Sequence, residues 1–303
     1  MKYLVLRCGS AWAPSSEMLA KLGSVQMHEV GAVPSRQELR VLDAAAREIL
    51  PVDPTPSLDE IAARPDVAHL GAPGFAPQPV PEPLRVVICG NDAALSAVLT
   101  RAMRADYLWV EFAFVPSGES TAAQNWGLPT DAAEAWALAV AGQVRPAPLI
   151  RNDAGQAVAG SATITQWEDE AGHTGEITGE VIVDSTVLLR HGKGSGAPSV
   201  RSGEPTYGAK LVPMLDAPGI VAARATGPIF GTPPPPRGLR AKLQARMRPV
   251  RPGALDDASV LTGRAVQAGG PALRVVVDGV SSKRAVKRVT FYRHLRDLQV
   301  VRP

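Results

Sequence analysis

The stretch VVICGNDAALSAVL, residues 86–99, contains an apolar run, a glycine turn and then helix-forming residues. The apolar run predicts a buried strand over residues 84–88, and the segment after the turn predicts a helix over about residues 93–104. A strand, a tight turn and a helix together direct free backbone N–H groups and the positive helix end towards one point. Such a point suits a phosphate group. Any strand-to-helix turn of a parallel sheet can carry a glycine, so this stretch alone indicates a fold class and not a phosphate site.

The alternation of strands and helices continues on both sides of this stretch. The apolar run at residues 2–7 predicts another buried strand, and residues 109–115 predict a third, which ends at a PSG turn. The segments SRQE at 35–38 and SLDE at 57–60 have the spacing of a capping box ahead of a helical pattern. Strands that alternate with helices predict a parallel, Rossmann-like α/β sheet over roughly the first 130 residues.

After about residue 130 the pattern changes to short β-like runs. We expect Thr130 to cap an alanine-rich helix over residues 131–141, and Gly142 to end it. The runs that follow are broken by Gly, Pro and Asp, a spacing typical of an antiparallel sandwich or barrel. The sequence therefore predicts a nucleotide-binding-like α/β domain over residues 1–135 and a β-sandwich domain over residues 136–303. A return of the C-terminal segment to the first domain is left open.

Composition excludes several classes of function. A formal net charge of +3 on 303 residues is too small to imply nucleic-acid binding by the whole chain. Cys8 and Cys89 form neither a disulfide framework nor a C-x-x-C pair, which favours a reducing, cytoplasmic location. The five histidines lack the spacing of metal ligands, so no protein-bound metal site is predicted. No apolar run reaches the about 18 residues that indicate a membrane span.

One segment of the chain is strongly basic. PPPPRGLRAKLQARMRPVRP, residues 233–252, carries six cations and no acid. Its residues Leu239, Leu243 and Met247 are four apart and would share one face of a short helix. A basic amphipathic segment is typical of an interfacial helix on an anionic membrane surface, whereas a solvated loop is the alternative. The first interpretation predicts a peripheral location at the inner membrane face.

The order of the turns resembles that of the diacylglycerol kinase family of lipid kinases, which is related to the NAD kinases. That family typically shows GGDGT after one strand, then P-x-G-T-x-N-D with a Leu-Gly-Ile/Leu-Pro exit, and later a DGE motif. Here GNDAA at 90–94 resembles the first motif, and VPSG at 115–118 with GLP at 127–129 resembles the second. LRVVVDG at 273–279 resembles the third. The resemblance covers residues 84–303 and rests on the order and spacing of loose motifs.

The resemblance implies a lipid kinase that uses ATP and Mg²⁺ to phosphorylate a lipid hydroxyl. It makes Asp92 a candidate ion-side or positioning carboxylate and Asp278 a candidate general base. The candidate nucleotide contacts that it implies lie in the two turns: Gly90, Asn91, Pro116 and Gly118. The implied partners are a lipid substrate and, through residues 233–252, an anionic membrane. The oligomeric state is left open, a dimer included.

Several residues depart from the family pattern. Asn91 stands at the second glycine of the first motif, and Ala93 and Ala94 replace its last Gly and Thr. In the second motif Glu119 replaces Thr, and Val280 replaces the last carboxylate of the third. Because phosphoryl transfer depends on positioning and charge neutralisation, these changes predict weakened or lost catalysis. Two interpretations stay open: a divergent lipid kinase, or a non-catalytic pseudokinase that binds lipid, nucleotide or protein as a scaffold.

Overall fold

The computed structural model describes residues 1–49, 71–77, 80–168, 172–192, 205–231 and 251–303. These residues form a mixed α/β fold, and the chain divides into two compact units. The first unit comprises Met1–Gly160, Pro213–Gly219 and Arg293–Pro303. The second comprises Ser161–Val212 and Ile220–Tyr292. The first unit thus extends beyond residue 135 and includes the last eleven residues of the chain.

A six-stranded sheet lies at the centre of the first unit. Its strands are β1 (Lys2–Cys8), β2 (Ser24–Val30), β3 (Leu84–Gly90), β4 (Glu111–Pro116), β5 (Val144–Ala147) and β17 (Leu298–Val301). Their order is β2-β1-β3-β4-β17-β5, and every neighbouring pair is parallel except β17 with β5. The parallel sheet predicted for the first part of the chain is therefore confirmed.

Helices cover both faces of this sheet. In the described part of the unit they are α1 (Ser16–Ala20), α2 (Arg40–Ile49), α3 (Asp92–Arg104), α4 (Thr121–Trp126) and α5 (Ala132–Ala141). Val86 and Ile88 of β3 pack in one buried cluster with residues of α2 and α3, whereas Val87 and Cys89 pack in another with residues of α5. Because side chains alternate across a strand, a strand covered on both faces is apolar at consecutive positions. All seven residues of β3 are buried.

A short hairpin extends the first unit to Gly160. Its strands are β6 (Ile150–Asn152) and β7 (Ala157–Val158), which pair antiparallel. Helix α3 holds this hairpin, since the Ser96 hydroxyl donates to the Ala157 carbonyl at 2.7 Å. Arg104 at the end of α3 also donates from Nε to the Gly155 carbonyl at 2.9 Å. The unit continues past residue 135 because these contacts join the hairpin to a helix of the parallel sheet.

The helix caps test the predictions of local structure. Ser35 and Glu38 form the predicted capping box, with Ser35 N–H donating to Glu38 Oε2 at 2.8 Å and Glu38 N–H donating to Ser35 Oγ at 3.3 Å. Thr130 was the wrong choice of cap, because the Asp131 carboxylate accepts the N–H groups of the first turn of α5. Gly142 ends that helix as predicted. The second capping box, at 57–60, lies outside the described residues.

The second unit is built from antiparallel strands. In its described part they are β8 (Ala162–Gln166), β9 (Gly179–Val183), β10 (Thr186–His191), β11 (Gly208–Pro213), β12 (Ile220–Ala225), β13 (Leu261–Gly263), β14 (Ala265–Val277), β15 (Val280–Ser281) and β16 (Val286–Arg293). The longest strand, β14, pairs antiparallel with β8, β9, β15 and β16. A 3-10 helix, Asp257–Ser259, precedes β13. The short runs predicted as antiparallel strands are confirmed.

The sequence leads to two predictions about membranes, and the structure describes the residues of only one of them. The basic segment at 233–252 lies outside the described residues except for its last two, so its interfacial helix stays a prediction. Among the helices that the structure describes, none is long and apolar enough to cross a membrane.

Candidate functional site

The two predicted turns follow neighbouring strands of the first unit. Strands β3 and β4 are parallel, with Cys89 opposite Val115 and Gly90 opposite Pro116. The Ser117 N–H donates to the Gly90 carbonyl at 2.8 Å and joins the turns. This confirms that the two strands are neighbours and that their turns meet at one edge. In open α/β sheets, ligands bind at the carboxyl edge of the strands.

The first turn leads into α3 through a local helix cap. Asn91 is the N-cap, with an extended backbone at φ −95°, and its side-chain oxygen accepts the Ala94 N–H at 2.9 Å. Gly90 has no positive φ. A Cβ at this position would lie 3.0 Å from the Cβ atoms of both Cys8 and Ala94. A glycine is therefore needed here because β1 and α3 approach closely.

The second turn leads into α4, and Asp92 of α3 binds the beginning of that helix. Its Oδ2 accepts the Thr121 N–H at 2.9 Å and the Ala122 N–H at 3.3 Å. Its Oδ1 accepts the hydroxyl of Ser120. A helix N-terminus attracts anions because its first N–H groups have no intrahelical acceptor. At α4 the anion that fills this position is a carboxylate of the chain itself.

The remaining contacts of the second turn complete this arrangement. Ser120 is the N-cap of α4, and its hydroxyl oxygen accepts the Ala123 N–H at 2.9 Å. Thus the N–H groups of the first three helical residues all bind acceptors from the chain. Gly118 has φ +83°, and no atom of the described residues lies within 4 Å of an added Cβ, so it is an open turn glycine. Glu119 beside it is exposed.

Gly160 packs directly against the Asp92 carboxylate. A Cβ at Gly160 would lie 2.6 Å from Asp92 Oδ2 and 2.8 Å from the Ala122 nitrogen. The Asn125 side chain of α4 also donates to the Gly160 carbonyl at 2.9 Å. Sequence reasoning missed Ser120, Asn125 and Gly160 as parts of this site. The Gly-Ser break at 160–161 and the Ser-Thr pair at 120–121 are the signals that point to Gly160 and Ser120, whereas no sequence signal singles out Asn125.

Two thiols lie next to the first turn. Burial raises the pKa of Cys8 to about 12, with a smaller contribution from the charge of Glu38. Burial also raises the pKa of Cys89 to about 12. Only a thiolate is nucleophilic, so neither cysteine is poised for covalent chemistry at neutral pH. Their side chains lie in different buried clusters on the two faces of the sheet.

The charges of the two turns do not match a magnesium triphosphate. Such a ligand requires positive charge and free donors around its phosphates. Residues 89–94 and 116–123 contain no Lys or Arg, and they contain two carboxylates, Asp92 and Glu119. Among the residues that the structure describes, no group of three or more His, Cys, Asp or Glu side chains could hold a metal ion.

The two turns also have few free hydrogen-bonding groups for a magnesium triphosphate. A carboxylate has about four lone-pair sites, and three hydrogen bonds already use three of those of Asp92. At α4 the first three N–H groups are occupied. At α3 the N–H groups of Asp92 and Ala93 lack an intrahelical acceptor by helix geometry. As they stand, the two turns therefore offer a magnesium triphosphate few free donors and no positively charged side chain.

Asp278 belongs to the second unit and lies in a tight hairpin. Asp278 and Gly279 have φ +50° and +81°, and they connect the paired residues Val277 and Val280 of β14 and β15. A two-residue hairpin with positive φ at both positions favours Asp-Gly. The Ser161 N–H donates to Asp278 Oδ1 at 2.9 Å, and the Asp278 N–H donates to the Ser161 carbonyl at 2.9 Å. The Asp-Gly pair thus has a structural reason, and the base role stays a prediction.

The structure brings the candidate residues of the first unit together. Those at the edge of the parallel sheet are Gly90, Asn91, Asp92, Pro116 and Gly118. Their roles towards a nucleotide stay predictions.

Comparison with known proteins supports the fold. No protein-family model and no curated protein matches the sequence. A diacylglycerol kinase from Bacillus anthracis str. Sterne matches with a TM-score of 0.54 at 9% identity, covering 100% of this chain and 97% of that chain. A second structure from that organism matches with a TM-score of 0.55 at 10% identity and the same coverage. An NAD kinase from Archaeoglobus fulgidus matches with a TM-score of 0.46 at 10% identity, covering 100% and 94%.

The two Bacillus anthracis matches extend over the whole chain, although nine residues in ten differ. A likeness at this identity is a likeness of fold. It agrees with the motif order read from the sequence, with a parallel sheet that carries two turns followed by antiparallel strands. The chain therefore has the fold of the diacylglycerol kinase-like proteins.

Proposed function

We propose that this protein is a divergent lipid-kinase-like protein in which ATP-dependent transfer of a phosphoryl group to a lipid hydroxyl is weakened or lost. The observation that carries the proposal is the position of the Asp92 carboxylate at the N-terminus of α4. In a working kinase the turns at the sheet edge would present free donors to phosphate oxygens. Here the donors of α4 already bind a carboxylate.

A triphosphate at this edge would have to displace Asp92 or lie beside it. Displacement would break three hydrogen bonds and leave the buried Ser120 hydroxyl without this acceptor. Approach without displacement would place like charges together, which costs of the order of 1 to 4 kcal/mol at about 4 Å, depending on the local dielectric. Either route lowers the affinity for ATP. Magnesium would need to compensate both carboxylates of the turns.

The acceptor side of the reaction is also weakened under this proposal. Asp278 is the general base by resemblance, a role worth typically about 10²- to 10⁴-fold in rate. Its Oδ1 accepts a hydrogen bond from Ser161, and Val280 provides no second carboxylate. The alternative is a pseudokinase scaffold without turnover. It rests on the same filled helix end, because a scaffold needs the fold but no free phosphate donors.

Further parts of the proposal concern the membrane and the second unit. We propose that residues 233–252 attach the protein to anionic lipid at the cytoplasmic face, and that the antiparallel strands close into a β-sandwich. The six cations of the segment support the first point, since each is worth about 1 kcal/mol near an anionic surface. Binding to anionic vesicles should fall steeply with added salt. Equal affinity for neutral vesicles would contradict this attachment.

The first experiment is a calorimetric titration of the full chain with ATP, with and without magnesium. We expect no magnesium-dependent binding tighter than millimolar at the two turns, because their donors are largely occupied and they contain no cation. Glu119→Gln tests the charge repulsion at the second turn, because it removes an exposed carboxylate without changing Asp92. It should strengthen any ATP binding by a few-fold. Micromolar, magnesium-dependent binding by the natural sequence would contradict the proposed weakening.

The second experiment measures phosphate transfer from ATP to diacylglycerol in mixed micelles. We expect slow or undetectable turnover by the natural sequence. Asp278→Asn is the informative variant, because asparagine tolerates positive φ and retains an oxygen that can accept the Ser161 N–H. Robust turnover that disappears in Asp278→Asn, with unchanged thermal stability, would show an active kinase and overturn the proposal.

A further inference from the structure

A basic cavity lies in the first unit, on the side of α2 that faces the end of α3. Its volume is about 670 Å³, within the range of small-molecule sites. Its lining combines arginines with one acid and one amide: Arg36, Gln37, Arg40, Asp43, Arg47 and Arg101. Neither the fold family resemblance nor the proposed function makes use of it.

The one acid of the lining is already neutralised. Arg101 donates from Nε to Asp43 Oδ1 at 2.8 Å and from Nη2 to Asp43 Oδ2. Both side chains are largely buried, at 17% and 12% exposure. Bidentate pairing of this kind uses both carboxylate oxygens. The remaining charge of the lining is therefore that of Arg36, Arg40 and Arg47, three positive charges.

Two described carboxylates that are close to these arginines in the sequence have partners of their own. Glu38 accepts the N–H groups of Gly31 and Ser35, and Glu48 binds the Lys2 ammonium at 2.6 Å.

Among the described residues, most donors of the three arginines have no partner. Within the described part of the chain, Arg47 makes one long contact, from Nε to the Tyr107 hydroxyl at 3.3 Å. For the side chains of Arg36 and Arg40, no partner is present in the part of the chain that the structure describes. Each guanidinium has five N–H donors in a planar fork that matches phosphate oxygens.

The spacing of these arginines concentrates their charge. Arg36, Arg40 and Arg47 are four and seven residues apart, so they repeat on one side of α2 and of the turn that leads into it. Like charges at this spacing repel each other unless an anion lies between them. All three side chains are exposed, and therefore accessible to a ligand.

We propose that this cavity binds a phosphate-bearing anion with two or more negative charges, through Arg36, Arg40 and Arg47. The site is separate from the two turns of the sheet edge. Arg101 lies nine residues after Asp92 in α3, about 14 Å along the helix axis. The proposal therefore stands or falls independently of the proposed kinase-like function.

Calorimetric titration of the full chain with inorganic pyrophosphate tests the proposal. The test variant is Arg36→Gln/Arg40→Gln, and the matched control is Lys287→Gln/Arg288→Gln, which removes two exposed cations from β16 of the second unit. We expect the test variant to weaken pyrophosphate binding at least tenfold and the control to change it less than twofold. Pyrophosphate should also raise the melting temperature of the natural protein and of the control, but not that of the test variant.

The same titration distinguishes the source of the phosphate. Tighter binding of pyrophosphate than of a soluble short-chain phosphatidic acid would support a free phosphate compound, and the reverse order would support a lipid headgroup. If the test and control variants lose pyrophosphate affinity equally, the affinity depends only on net charge, and the proposal is overturned. No pyrophosphate binding by the natural protein would also overturn it. Arg47→Gln, which leaves the other two arginines in place, should show an intermediate loss.

Discussion

Helices α3 and α4 begin at the same edge of the parallel sheet, yet their N-termini are satisfied in different ways. At α3 the cap is local, since Asn91 accepts the N–H of a residue three positions later. At α4 the local cap is Ser120, and a second acceptor comes from Asp92, 28 residues before it in the sequence. The first helix end depends on its own turn. The second depends on the position of the first helix.

The same type of turn can therefore serve two purposes. A helix N-terminus with free N–H groups is an anion site, whereas the same terminus with a carboxylate from the chain is a structural joint. Asp92 makes the α4 terminus a joint, and Gly160 provides the space for its carboxylate. Charge-assisted hydrogen bonds are the stronger ones, so this joint should contribute more stability than the local cap.

The largest expected loss of stability follows from removing the Asp92 carboxylate from the N-terminus of α4. Asp92→Ala should lower the free energy of unfolding by about 2 to 3 kcal/mol, because it leaves the Ser120 hydroxyl and two N–H groups without their acceptor. Asn91→Ala, the matched loss of a local cap, should cost about 1 kcal/mol. Urea denaturation measures both. Equal losses in the two variants would show that the joint adds nothing beyond an ordinary cap.

The next largest loss of stability is expected at Gly160, which leaves space for the Asp92 carboxylate. Gly160→Ala should cost about 2 kcal/mol, because its Cβ would collide with Asp92 Oδ2 and the Ala122 nitrogen. Gly118→Ala is the control, since that position is open and only its φ of +83° opposes a side chain, at about 1 kcal/mol. Thermal denaturation compares them. A smaller loss for Gly160→Ala than for Gly118→Ala would mean that the carboxylate is not held tightly.

The smallest expected effect is a pH dependence of stability, and it comes from the capping box of Ser35 and Glu38 before α2. Hydrogen bonds from Ser35, followed by the Gly31 N–H, lower the pKa of Glu38 below its usual 4.5. A carboxyl group with a lowered pKa in the folded state stabilises the fold above the unfolded pKa, and this contribution is lost as the pH falls through the folded value.

The variant Glu38→Gln isolates this contribution. The stability of the natural protein should fall towards that of the variant as the pH is lowered below 4.5, and the difference should be largest near neutral pH. Urea denaturation between pH 7 and pH 3 measures it. A constant difference across this range would mean that ionised Glu38 does not cap the helix.

Local features of the fold could be predicted from single segments. The box of Ser35 and Glu38 needs only four consecutive residues, and the apolar run of β3 indicates burial on both faces. The choice between Thr130 and Asp131 failed, because both residue types cap helices and the geometry of the entering chain decides which one does. Asp278-Gly279 resembles a catalytic motif, but the same two residues also favour a tight hairpin.

Sequence patterns alone predict the alternation of parallel strands with helices, the change to antiparallel strands and the order of the turns. These depend on periodicity and on turn residues, which act over a few positions. The contact of Asp92 with the N-terminus of α4, and the space that Gly160 leaves for its carboxylate, depend on the three-dimensional fold, because Asp92 and Gly160 are 68 positions apart. Hydrogen bonds at a helix end accept any correctly placed oxygen, and the fold alone determines which distant side chain arrives there.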